Sequence, residues 1–170
     1  MSDRAAPIPS NGTGLSIGGT GMLAAATHWL AAREAQTLVV SRHARRFTGD
    51  SERMVALDAD WTQPDFLAAI ETRLAAMPPV SRALLWLHKM DQHLSPLMGL
   101  LGSARIILML GSMDGRPALP GTEGIVTVRL GSVATAGGRR WLSNDEISAG
   151  AIKALEDGRD RIVGELKPIS

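Results

Sequence analysis

Short apolar runs alternate with helical patterns along this chain. Gly14–Ile17, Leu38–Val40, Met54–Leu57, Ala83–Leu87, Ile106–Leu110 and Ile125–Leu130 are short and bounded by turn-forming or charged residues, which predicts buried strands. Between the first two, residues from about Met22 to Arg33 carry a helical pattern. Asp65 to Met77 carries another, with Phe66, Leu67, Ile70 and Leu74 on one face, and Pro78-Pro79 stops it. Leu94 to Leu101 predicts a further helix. Ser143-Asn144-Asp145-Glu146 spells a capping box, so a last helix should run from there to about Leu155. Arg161–Leu166 then reads as an edge strand. Strand and helix in alternation predict an α/β chain, a doubly wound parallel sheet with helices on both faces.

The first strand and first helix are joined by Ile17-Gly18-Gly19-Thr20-Gly21-Met22-Leu23-Ala24. Gly19, Gly21 and Ala24 stand at the small positions of G-x-G-x-x-G/A, the dinucleotide-binding spacing of a Rossmann-like sheet. One glycine permits the tight turn, the next lets backbone approach a pyrophosphate, and the third small residue packs helix on strand. The pyrophosphate then meets unpaired N–H groups at the positive end of the helix dipole. Gly18, Gly19, Thr20, Gly21, Met22 and Leu23 are therefore candidate cofactor contacts.

The end of the second strand bears on which nucleotide is bound. An NAD-selective sheet usually holds an acidic residue about 20 residues past the glycines, bonded to the ribose 2′-hydroxyl. Here that place holds Ser41-Arg42-His43, followed by Arg45 and Arg46. A guanidinium forks onto a 2′-phosphate, whereas a carboxylate would repel it. The loop could also be solvated basic surface, but its chemistry favours NADP(H) as cofactor.

Composition limits the alternatives. With 170 residues, a net charge of +1 and no cysteine, the chain suits a single domain without disulfides or thiolate chemistry. No global field points to nucleic acid or an anionic membrane, and no apolar run is long enough to span a bilayer. Residues 1–12 are polar and rich in Pro, Ser and Asn, predicting a flexible tail ahead of a domain over residues 13–170. Cysteine-free composition is compatible with a cytoplasmic location.

Taken together, these residues resemble the short-chain dehydrogenase/reductase family, in particular its small atypical members whose turn reads GGTGML. Besides IGGTGMLA, the likeness rests on Arg42 after strand two, Leu57-Asp58 ending strand three, Leu110-Gly111-Ser112 ending strand five, and the late WLSNDEISAGAI helix. It implies an adenine contact for Asp58, although an aspartate at such a turn is equally expected to cap the loop. It also implies a homodimer, as does the apolar stretch Leu94–Leu101 if that face lies outside the domain core. The family's reductases use a Tyr-x-x-x-Lys pair, but this chain contains no tyrosine. Gly111 to Glu123 is also too short for the long helix that carries that pair. Ser112 stands in place of the family's carbonyl-binding serine, without its phenolic partner.

Ligands of open α/β sheets bind beyond the carboxyl ends of the strands. There the fourth strand delivers His88, a candidate proton donor near neutral pH, and Lys89, a candidate to orient substrate or hold a phosphate. Ser112 completes the candidate catalytic set. His88 is equally readable as a polar loop residue. His88, Asp91 and His93 lack any recognised zinc spacing. Trp29, Trp61, Trp86 and Trp141 are expected in core or interface positions rather than as base-stacking platforms. Two functions remain open: an NADPH-dependent reductase of a small organic substrate working without a Tyr-Lys acid, and a non-catalytic NADPH-binding sensor or partner-binding module.

Overall fold

The computed structural model describes residues 10–112 and 124–169. In chain order the elements are β1 (Thr13–Ile17), α1 (Ala24–Arg33), β2 (Gln36–Ser41), α2 (Ala44–Thr48), β3 (Met54–Asp58), α3 (Phe66–Ala75) and β4 (Val80–Leu85). They continue as α4 (Met90–Leu101), β5 (Arg105–Leu110), β6 (Ile125–Leu130), β7 (Ser132–Thr135), β8 (Gly138–Trp141), α5 (Asn144–Asp157) and β9 (Arg161–Val163). Among the described residues seven strands form one sheet in the order β3-β2-β1-β4-β5-β6-β9, and every pairing in it is parallel. This is the predicted doubly wound sheet. The order reverses between β1 and β4, and that switch point is where an open sheet leaves a crevice.

Both faces are covered, so β1 is buried at all five positions. Alternation sends Leu15 and Ile17 into one core layer with Leu38, Val40, Phe66 and Ile70. Leu84, Ile107 and Val128 face the other layer, under Leu30 of α1 and Ala151, Ala154 and Leu155 of α5. Leu94, Leu97 and Leu101 of α4 are buried in the first layer, so that stripe is spent inside the protomer. It offers no ground for expecting a dimer.

Several boundaries differ from the sequence reading for local reasons. Ser10–Gly12, predicted as tail, is tied down: Ser10 N donates to the Arg33 carbonyl at 2.6 Å and Ala35 N to that of Gly12 at 3.1 Å. The Ser10 hydroxyl also donates to buried Glu34. β4 starts and ends earlier than predicted, leaving Trp86 and Leu87 in the loop above the sheet. Edge strand β9 stops at Val163, because Glu165 turns to form an antiparallel bridge with Ser132. The short α2 and the β7–β8 hairpin carry no apolar period that would announce them. Residues 113–123, most of the segment read as too short for the family's long helix, lie outside the described residues.

The capping box of α5 forms as predicted. Glu146 N donates to Ser143 Oγ at 3.2 Å, and Ser143 N donates to Glu146 Oε2 at 2.8 Å. Arg140 forks onto the same carboxylate at 2.9 and 2.8 Å. The Arg140 hydrogen bond, followed by the Ser143 N–H, holds the Glu146 carboxyl down from its ordinary 4.5 to about 2. A depressed carboxyl stabilises the fold above its unfolded pKa, and that contribution is lost as pH falls from about 4.5 through about 2. Arg140→Ala should therefore raise the Glu146 titration midpoint, followed by NMR. Ser143→Ala should cost about 1 kcal/mol in denaturant unfolding, and an unchanged midpoint in both experiments would mean the box is not formed.

Candidate functional site

At the carboxyl end of β1 the chain turns back on itself within a few residues. Gly18 has φ +72°, and a Cβ there would stand 2.6 Å from the Trp86 carbonyl oxygen, so only glycine serves. Its N–H donates to the Val40 carbonyl at 3.0 Å, while Trp86 N donates to the Ile17 carbonyl at 2.9 Å. The turn is thereby pinned to both neighbouring strands. Gly19 is enclosed: a Cβ would meet Ser16 Oγ and Thr27 Oγ1 at 2.0 and 2.4 Å. Those hydroxyls bond each other at 2.8 Å, and Thr27 donates to the Gly19 carbonyl at 2.8 Å. Behind the next residues Ser148 of α5 donates to the Met22 carbonyl at 3.1 Å. Gly21 differs from both, because nothing lies within 4 Å of the place its Cβ would take. It faces open space.

That space is a hollow of about 390 Å³ at the switch point. Gly18, Thr20, Gly21 and Met22 line it from the turn, Ser41, Arg42 and His43 from the end of β2, Ala59, Trp61, Trp86 and His88 from the loops after β3 and β4, and Phe66 from the start of α3. Leu23 gives the N-terminus of α1 no side-chain cap and the first turn holds no acidic residue, although Ala24 N donates to the Gly21 carbonyl at 3.0 Å and Ala26 N to Ser148 Oγ at 3.4 Å. No carboxylate stands at this helix end. Ser41 Oγ is buried without a hydrogen-bond partner, and such an orphaned hydroxyl costs stability unless something occupies the site. Arg42 is exposed and makes no hydrogen bond to a described residue; its charge helps to lower the Asp60 carboxyl, behind the two larger contributions from Thr62 N–H and O–H. These features fit a phosphorylated nucleotide: a close-approach glycine, a helix end without a carboxylate, an unpaired hydroxyl and a nearby guanidinium.

Not all predicted contacts share this hollow. The Leu23 side chain is fully buried in the core, leaving only its backbone toward the turn, and Gly19 is sealed behind it. Asp58 Oδ1 accepts from Arg45 N at 3.0 Å, and its other oxygen lies 3.9 Å from Arg45 Nε. Asp58 thus secures the loop that carries Arg42, and Arg45 turns toward it. Trp61 and Trp86 pack against the two core layers, as expected, and also form walls of the hollow. His88 stacks on Trp61 with ring centres 4.8 Å apart and planes at 22°. Lys89 has φ +50° at the start of α4, with Nζ 5.6 Å from the Trp61 ring centre.

Ser112 lies elsewhere. With Gly111 it lines a second hollow of about 320 Å³, together with Leu130, Trp141, Leu142 and Ile147. Met22 and Trp86 line both hollows and so form their common wall. His88 and Ser112, expected to flank one reacting centre, line different hollows on this wall. Sequence reasoning missed Trp61, Trp86 and Trp141 because position beyond a strand end, not residue type, puts them here.

The two glycines give opposite expectations. Gly21→Val should leave the domain folded, because its side chain enters open space, yet abolish NADPH binding by filling the approach to the helix end. Gly19→Val should instead lower the unfolding temperature, since its side chain meets the Ser16 and Thr27 hydroxyls. Calorimetric titration and thermal unfolding separate the two, and undiminished NADPH affinity in Gly21→Val would place the site elsewhere.

No protein-family model matches the sequence, and no curated protein matches it. Solved structures do match the fold. A short-chain dehydrogenase from Burkholderia cenocepacia in complex with NADP superposes with a TM-score of 0.64 at 17% identity, over 92% of this chain and 90% of that one. A short-chain dehydrogenase/reductase of the glucose/ribitol dehydrogenase type from Brucella melitensis gives 0.65 at 10% identity, over 94% and 96%. Glucose dehydrogenase of Caenorhabditis elegans, in its apo form, gives 0.60 at 15% identity, over 90% and 95%. At such identities the likeness is one of fold: this chain has the Rossmann-like α/β fold of the short-chain dehydrogenases.

Proposed function

We propose that this protein binds NADP(H) across the two hollows and acts as an NADPH-dependent reductase of a small organic substrate. The observation that carries the reading is the open approach at Gly21 to a helix end free of acidic residues, beside the unpaired Ser41 hydroxyl and Arg42. The backbone of Thr20–Leu23 would hold the pyrophosphate, and Arg42 with Ser41 and His43 the 2′-phosphate. Ala59, Trp61 and Phe66 offer an apolar wall to the adenosine. When bound, NADPH supplies a hydride, and that chemistry belongs to the cofactor. Ser112 stands in the second hollow as a hydrogen-bond donor to a substrate acceptor atom. The NADP reported for the Burkholderia protein supports the same cofactor here.

The chain has no tyrosine, and His88 lies against Trp61 rather than beside Ser112. That separation favours substrates whose reduction needs little help from a protein acid, such as an iminium or an activated alkene, with the proton taken from water. The same observation supports a second reading, a non-catalytic NADPH sensor that keeps the pocket. Consumption of NADPH across carbonyl, imine and enone panels distinguishes the two.

NADPH should bind more tightly than NADH, and Arg42→Ala should erase most of the difference. A charge-assisted contact of this kind contributes roughly 1.5–3 kcal/mol, about ten- to a hundredfold in affinity. Calorimetric titration of both nucleotides into both proteins checks this. Equal affinities in the unmodified protein would overturn the cofactor assignment.

A further inference from the structure

Trp61 is half-buried, but the residues that follow it, Thr62 to Asp65, are exposed. Ala59 N ties the start of this loop to the Ser41 carbonyl at 3.0 Å. Further on, the loop bonds to itself. Thr62 donates to Asp60 Oδ1 through its N–H at 2.9 Å and its hydroxyl at 2.7 Å, and Gln63 N donates to the Asp60 carbonyl at 3.0 Å. Such bonds shape a loop without fixing it against the rest of the molecule.

One short stretch of chain, residues 88–93, does fix it. The Trp61 carbonyl accepts from His93 Nε2 at 3.2 Å, across 32 positions of sequence. His88 stacks on the indole, and Lys89 Nζ lies 5.6 Å from the ring centre. Lys89 takes the left-handed φ of +50°, and its carbonyl then accepts from Gln92 N and His93 N as α4 begins. A non-glycine residue holds that conformation at a cost, and here it brings His88 and His93 onto the same tryptophan.

His93 is only 7% exposed, and its ring meets Phe66 edge-on with centres 5.1 Å apart. Trp61 and Phe66 both line the hollow at the switch point, whereas His93 does not. A carbonyl can only accept, so this bond requires the proton on Nε2. Nδ1 is buried with no hydrogen-bond partner, which leaves the bond to Trp61 as the side chain's one hydrogen bond among the described residues. A wall held in place before a ligand arrives spares that ligand the cost of ordering it.

We propose that His93 is the positioning residue for the Trp61 wall, and that through this bond it sets the affinity for the adenosine half of the dinucleotide. The role of adenosine rests on the NADPH reading above; the hold of His93 on Trp61 rests on the geometry alone.

The experiment compares two substitutions in the full chain. His93→Phe keeps a ring against Phe66 and removes the donor, whereas His93→Gln keeps an N–H near the place of Nε2. In calorimetric titrations His93→Phe should weaken NADP⁺ and NAD⁺ alike, by about tenfold, and His93→Gln should recover most of the loss. The ratio of the two affinities should not change, because Arg42 is untouched. Trp61→Ala should weaken both nucleotides similarly, and adding His93→Phe to it should cost nothing more. A residue serving stability alone would lower the unfolding temperature and leave the affinity of the folded protein where it was. Without nucleotide, the Trp61 indole N–H signal in ¹H–¹⁵N NMR should move in His93→Phe and return in His93→Gln. An indole signal indifferent to His93→Phe, or unchanged affinity where NADP⁺ binds, would overturn the proposal. If His93→Phe does not fold, the ring ¹⁵N spectrum of the unmodified protein decides: a proton on Nε2 supports the bond, and one on Nδ1 alone overturns it. An unmodified protein that takes up no NADP⁺, while Trp61 still responds to His93, would keep the hold on Trp61 and overturn the cofactor reading instead.

Discussion

The polypeptide reverses direction between Ile17 and Ala24 with almost no room to do so, and the rest of the molecule is arranged around that reversal. Gly18 must adopt a left-handed conformation against the Trp86 backbone, and Gly19 must leave space for two bonded hydroxyls. Thr27 closes the turn by donating back to the Gly19 carbonyl, and Ser148 reaches from α5 to hold Met22. β4 therefore has to run beside β1, and α5 beside α1, for the turn to be formed at all. The constraint leaves Gly21 as the unenclosed glycine of the turn and points the helix end at a hollow rather than at protein. Packing and function are thus set by the same few residues.

The fold was legible where the chain obeys one period throughout an element. Leu15 and Ile17, or Ile106, Leu108 and Leu110, alternate into one buried layer and made their strands readable. Ser143 and Glu146 announced α5 because their reciprocal bonds need that spacing. Boundaries failed where tertiary contacts overrode local pattern. The α4 helix was read from Leu94; the structure carries the helix back to Met90, with Pro96 inside it. Leu87 looked like strand because it is apolar, yet it belongs to the loop that lines the hollow at the switch point. Of the site, the turn could be read directly, because its spacing has a mechanical reason. The roles of Trp61, Trp86 and Trp141 could not, because which loops meet beyond the strand ends is decided by sheet order.

Two hollows divided by Met22 and Trp86 change how the absent phenol is understood. In a site built for ketone reduction an acid should stand beside the acceptor atom. Here Ser112 stands among apolar walls in one hollow, while the imidazole of His88 is stacked on an indole in the adjoining one. The two hollows thus differ in chemistry: the first has Arg42 and His43 on its rim, and among its described lining residues the second is apolar apart from Ser112 and the two indoles. Asp58 illustrates the same economy: its carboxylate fastens Arg45, and so steadies the loop that offers Arg42.

The central claim is that the β1–α1 turn, acting with Arg42, receives the phosphates of NADP(H). Two-dimensional ¹H–¹⁵N NMR during an NADP⁺ titration tests it most directly. The account predicts that the amides of Gly21, Met22 and Leu23 and the Arg42 side-chain N–H move together and saturate, while Arg105 and Arg159, which line a polar groove at the opposite end of the sheet, stay still. Shifts confined to that far groove, or a turn that does not respond at saturating nucleotide, would contradict it.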